Sequence, residues 1–171
     1  IIYRMKKRAI PHSDNWKTPT HLYNVLDREF RFDFDPCPYS NGGELGFDGL
    51  TIDWGQRNFV NPPYSQQLKE RFVRKAIDES YKGKVCVVLL PVSTSTRLFH
   101  KYIYPNAAEI RFIRGRVTFQ GYNTDGLWTT KRDGMHDSMV VVFDGSKVRE
   151  NIVCSLMKQM DSEQLHLLET E

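Results

Sequence analysis

Leu22, Val25, Leu26 and Phe30 recur at intervals of three and four behind a Thr18-Pro19 pair. That spacing predicts an amphipathic helix over residues 20 to 30, opened at a proline. The next stretch, FDFDP, alternates apolar and acidic residues before its proline and reads as a short strand entering a loop. Residues 38 to 50 hold four glycines and read as loop. RNFV is a second short strand, ended by Pro62 and Pro63. Over 66 to 81, Leu68, Phe72, Ala76 and Ile77 form one stripe with Lys69, Arg71, Arg74 and Lys75 around the rest, an amphipathic helix. VCVVLL, bounded by Lys84 and Pro91, is an unbroken apolar run of the kind found in strands covered on both faces. A helix from about Thr96 to Tyr104 and strands at EIRFI and SMVVVF complete the pattern. The stretch 121 to 137 is too polar and glycine-rich to predict regular structure.

Helix and strand alternate, so the expected fold is a three-layer α/β sandwich, compact and Rossmann-like with a mostly parallel sheet. The core is expected within residues 14 to 146. A basic N-terminal tail (1–13, with Arg4, Lys6, Lys7 and Arg8) and a polar C-terminal segment (147–171) are expected to flank it. Sheets of this class place ligands at the carboxyl ends of their strands. That points to the residues after FDFD, RNFV and VCVVLL, namely DPC, NPPY and PVSTST.

Of these, FVNPPY carries the most chemistry. The Asn61 side-chain oxygen accepts hydrogen bonds. Pro62 and Pro63 donate none and hold φ near −65°, which stiffens the carbonyls beside Asn61. Tyr64 offers a flat ring for stacking. Two converging acceptors and a platform suit a planar amine bearing two N–H groups. If both N–H groups donate to fixed acceptors, the nitrogen is biased toward tetrahedral geometry and its lone pair is freed for attack, without a strong base. The alternative is an ordinary strand-to-helix turn.

Composition adds little and excludes some classes. Hydrophobic residues are 40% and charged residues 26%; a net charge of +3 permits a nucleic-acid partner without requiring one. Three cysteines without Cys-x-x-Cys spacing indicate neither a disulfide framework nor a zinc site, and Cys86 reads as a buried small residue. The five histidines show no metal spacing, and the chemistry above needs no metal. No apolar run approaches the roughly 20 residues that span a bilayer, no signal peptide is visible, and a cytoplasmic setting is expected.

The pieces NWKTPTHLYNVLDREFRFDFDPCP (15–38), DGLTIDW (48–54), FVNPPYS (59–65), VVLLPVSTSTRLFH (87–100), EIRFIRGRVTF (109–119) and SMVVVF (138–143) occur in order over most of residues 15 to 143. Together they resemble the Dam-type phage DNA N6-adenine methyltransferases, within the S-adenosylmethionine-dependent amino-methyltransferases whose motif is [DNS]PP[YFW]. The resemblance implies cofactor contacts for Trp16, Thr18 and Pro19, for Asp35, Pro36 and Cys37 near the methionine end, and for Asp48 near the ribose or adenine. It implies catalytic roles for Asn61, Pro62, Pro63 and Tyr64. The glycine-rich loop of the wider class is replaced by DPCPYSNGG, and Asn61 follows Asp35 by only 26 positions, so either the cofactor half of the sheet is trimmed or the loop substitutes for it.

DNA contacts are expected from three places. Ser93, Thr94 and Arg97 follow the buried strand, where loop and cap chemistry is the plain alternative. Arg111, Arg114 and Arg116 surround EIRFI as phosphate contacts or a solvated face. Trp128, Lys131 and Arg132, with Tyr122 and His136, make 121 to 137 an aromatic and basic loop suited to groove insertion or base readout. The reaction expected is methyl transfer from S-adenosylmethionine to the amino nitrogen of a flipped-out adenine in DNA. Rival readings are an NPPY enzyme acting on cytosine N4, RNA or protein glutamine, and a catalytically silent DNA-binding subunit.

Overall fold

A computed structural model of the chain describes residues 16–40, 46–122, 127–131, 136–147 and 153–158. The predicted first helix is present as α1 (Thr20–Phe30). It ends where Arg31 turns left-handed (φ 52°) and returns its N–H to the Asp27 carbonyl at 2.7 Å. RNFV is β1 (Arg57–Val60), the 66–81 stripe is α2 (Gln66–Tyr81) and the apolar run is β2 (Val85–Pro91). The helix expected from about 96 to 104 is a π-widened turn over Phe99–Ile103 that continues into α3 (Tyr104–Asn106). Strands β3 (Glu109–Arg114), β4 (Phe119–Tyr122), β5 (Trp128–Lys131), β6 (Ser138–Asp144) and β7 (Val153–Lys158) follow.

The main sheet has the order β1-β2-β6-β3-β7. The β1/β2 and β3/β7 seams are parallel, whereas β6 runs antiparallel to both β2 and β3. The expectation of a mostly parallel sheet is therefore corrected: four strands share one direction, but the reversed β6 between them makes the sheet mixed. Buried strands of either pairing read as continuous apolar runs, so SMVVVF carried no sign of its direction.

Period-2 alternation divides the core between two faces. Val60, Cys86, Val88, Leu90, Met139, Val141 and Phe143 face Phe72, Val73, Ala76 and Ile77 of α2 together with Phe99 and Ile103. Phe59, Val87, Leu89, Val140 and Val142 face Leu22 and Leu26 of α1. Helices on both faces give the expected three layers.

Three further expectations change. FDFD contributes a single bridge, Phe34 beside Asn58, and not a full strand, so the sheet is short on the Asp35 side among the described residues. The 121–137 stretch is not wholly irregular, because Tyr122 closes β4 and Trp128–Lys131 is β5, paired as a separate antiparallel ribbon. Strand β7, in the segment expected to be a polar C-terminal extension, joins the sheet edge beside β3. No helix among the described residues is long and apolar enough to cross a membrane.

Candidate active site

Strand β1 delivers Asn61 to its carboxyl end, where Pro62 and Pro63 prevent further pairing. Asn61 forms part of the wall of a cleft of about 420 Å³ on the α1 face, a size suited to a small organic ligand. Trp16, Thr18, Tyr23, Asp35, Cys37 and Tyr39 line it with Asn61. Trp16, Thr18, Asp35 and Cys37, all read from the sequence as cofactor contacts, thus converge with Asn61. Pro19 and Pro36 are buried beside them without lining the cleft.

Asn61 is held from two sides. Its Nδ2 donates to the Trp16 carbonyl at 2.9 Å, and its own main-chain carbonyl accepts from the Cys37 thiol at 3.3 Å. With the nitrogen committed, Oδ1 is left buried and without a partner among the described residues. The hydroxyls of Tyr39 and Tyr64 are likewise buried and unpartnered among them. A buried acceptor left unmade costs about 1–3 kcal/mol, so such atoms mark places where a ligand completes the site. Asn58 Oδ1, inside the sheet, is a fourth unpartnered atom and has no such explanation.

Tyr64 packs edge-on against Phe119 of β4 (6.0 Å, 88°). Burial, and secondarily the neighbouring Cys37, raise its phenol well above the ordinary tyrosine range. Asp35 is the acidic group of the cleft, whose rim Lys17 also lines. Burial pushes its carboxyl up to about 6, and the Cys37 N–H, donating to Oδ1 at 2.9 Å, only partly offsets this. Asp33, two residues earlier, does different work: it accepts the main-chain N–H groups of Gln56 (3.2 Å) and Arg57 (3.0 Å) and so pins the entry to β1.

Thr18 does not cap α1, which begins after Pro19 with no side-chain cap. Asp48 is exposed and outside the cleft; its carboxylate accepts the Leu50 N–H at 2.9 Å and shapes a turn. The value of DGLTIDW here is structural. Gly49 lies so close to the Pro36 carbonyl that a Cβ would collide with it. The Trp54 indole holds the Gly49 carbonyl at 2.6 Å, and Lys84 holds the Trp54 carbonyl at 2.6 Å. The segment therefore backs the DPC loop.

The residues expected to meet DNA are dispersed. Ser93 lines a second cavity of about 240 Å³ on the α2 face, and its carbonyl accepts from Thr96 Oγ1 at 2.8 Å, as loop and cap chemistry requires. Thr94 is exposed, and Arg97 is exposed and paired with Glu70 at 3.0 Å. Arg111 is committed internally, to Glu29 and Glu109, with its guanidinium 5.2 Å over Phe30. Arg114 and Arg116 stay exposed around Gly115 (φ 83°). Trp128, 47% exposed, stands at the start of β5 against Tyr122 (5.2 Å) and Tyr39 (6.0 Å), linking the ribbon to the cleft. Lys131 ends β5, and Arg132 lies outside the described residues. Sequence reasoning missed Tyr23 and Tyr39 as cleft residues. Tyr39 follows DPCP directly, which was the available signal.

Fold and site together define a three-layer α/β domain with an aromatic-walled cleft, carrying Asp35, at a strand end closed by Asn-Pro-Pro-Tyr. The chain matches the family described as DNA N-6-adenine-methyltransferase (Dam) over residues 6–165 and belongs to that family. No curated protein matches the chain.

Proposed function

We propose that the protein transfers a methyl group from S-adenosylmethionine to the exocyclic amino nitrogen of adenine in DNA. The observation that carries this reading is the buried, unpartnered Oδ1 of Asn61 at the cleft, beside a nitrogen already committed to Trp16. An acceptor fixed in this way is suited to one N–H of an amino group. The Pro62 carbonyl, stiffened by its ring, suits the other. Together they bias the amino nitrogen toward tetrahedral geometry. Its proton leaves to solvent after transfer, with no side-chain base needed.

The cleft also fits the cofactor. Asp35 offers a negative charge to a cationic methyl donor, and Trp16, Tyr23 and Tyr39 offer flat apolar walls for an adenine ring. When bound, S-adenosylmethionine supplies an electrophilic methyl on a sulfonium. Extruding the target base from a duplex costs a few kcal/mol, which stacking against Tyr64 offsets in part. Trp128 and Arg114 are the exposed aromatic and cationic groups proposed to meet DNA.

Asn61→Ala tests the reading. Methylation of DNA adenine, measured by mass spectrometry of released nucleosides, should fall at least about a hundredfold, as for a lost transition-state acceptor. Binding of S-adenosylmethionine by calorimetry should change less than about threefold. Methylation near the wild-type level in that variant would sink the mechanism. A methyl group on cytosine, or on RNA in preference to DNA, would replace the substrate.

A further inference from the structure

Four residues from three segments form one hydrogen-bonded line across the cleft. Asp35 Oδ1 accepts the Cys37 N–H at 2.9 Å; the Cys37 thiol donates to the Asn61 carbonyl at 3.3 Å; the Asn61 amide donates to the Trp16 carbonyl at 2.9 Å. A half-buried cysteine usually acts as a small apolar filler. Here its thiol reaches the main chain of the residue that carries the unpartnered acceptor. Burial keeps that thiol protonated, so it stays a donor.

We infer that Cys37 is a positioning residue for methyl transfer: its thiol proton, given to the Asn61 carbonyl, fixes where Asn61 Oδ1 stands and ties that position to the Asp35 loop. The inference rests on the amino-methylation reading and names how its acceptor is placed. The side-chain amide is anchored from Trp16 and the main chain from Cys37, so Oδ1 has little freedom left. Losing the second anchor leaves the acceptor in place on average but looser, which weakens catalysis more than binding.

Cys37→Ser, Cys37→Ala and Cys37→Val separate positioning from packing, because the two roles rank the variants in opposite orders. A filler tolerates Ala and Val better than a buried hydroxyl. A positioning donor tolerates Ser best. The expected result is kcat lowered about five- to tenfold in Ala and Val, the equivalent of one hydrogen bond, with Ser within about threefold of wild type. The difference between Ser and the two apolar variants should fall on kcat more than on affinity for S-adenosylmethionine. Ser at or below Ala in kcat overturns the inference. The S–H stretching band, taken as the difference between wild type and Cys37→Ser and repeated in the Asp35→Asn background, reads the contact with Asn61 apart from any with the Asp35 carboxylate, without any turnover. A band at the frequency of an unbonded thiol also overturns it. If the wild type methylates no adenine, the functional reading fails, and the infrared band still decides whether the thiol is bonded.

Discussion

Asp35 gives the sharpest link between stability and function. Its carboxyl is pushed up to about 6 by burial in the cleft, against an ordinary carboxylate value of 3.8. At about 1.4 kcal/mol for each tenfold change in proton affinity, holding Asp35 ionised costs the folded protein at most about 3 kcal/mol. A raised carboxyl favours the neutral form in the fold. The stabilisation is therefore fully present below the ordinary value and is lost as pH climbs through about 6. Asp35→Asn keeps the shape and an oxygen to accept the Cys37 N–H, but never charges. In urea unfolding the variant should match wild type near pH 4 and exceed it by about 2–3 kcal/mol at pH 8, with the gap opening between pH 4 and 6. Thermal midpoints should differ at pH 8 by roughly 5–10 °C. The same variant should bind S-adenosylmethionine at least about tenfold more weakly at pH 8, and wild-type affinity should rise with pH up to about 6. A stability gap that does not depend on pH would refute the reasoning, since only ionisation of Asp35 creates it.

Two other sites give predictions of different kinds. Glu79 is fully buried; burial alone would raise its carboxyl, but hydrogen bonds from Lys84, Lys82 and Lys75 overcome this and hold it at about 2. Glu79→Ala strands Lys84 and should destabilise by on the order of 3–5 kcal/mol in urea unfolding at pH 7. The penalty should shrink as pH falls from 4.5 toward 2, and a penalty unchanged over that range would rule out the ion-pair account. Arg111 and Arg114 lie on one strand but should behave oppositely. Arg111→Met should lower stability by about 1–2 kcal/mol without altering the salt dependence of DNA binding. Arg114→Ala should leave stability within about 0.5 kcal/mol and flatten log K against log [salt] by about 0.9.

Much of the candidate site was legible in the chain because its signals are local. NPPY announces a strand that stops, and it names an acceptor, a rigid turn and a ring within four residues. The resemblance brought Trp16, Asp35 and Cys37 to the same site, and the cleft contains all three. Asp48 shows the limit. The resemblance implies a cofactor contact for Asp48, yet the adjoining Gly49 is needed because the Pro36 carbonyl passes where a Cβ would stand. Arg111 shows another. A basic residue on a strand reads the same whether it meets phosphate or, as here, Glu29 of a helix 82 positions away.

The sequence by itself determined the periods, the stops and the functional groups: helices at α1 and α2, apolar strands at β1, β2, β3 and β6, and an amide and phenol held at the end of β1. Those follow from spacing and from proline's missing N–H, which act over a few residues. Only the tertiary structure decided that β6 runs against its neighbours, that Val153–Lys158 joins the sheet, and that the β4/β5 ribbon stands beside the cleft. It also decided which atom of Asn61 is spent and which is free. That choice belongs to Trp16, 45 positions earlier, and to Cys37, 24 positions earlier, and such partners meet only when the sheet and α1 close around them.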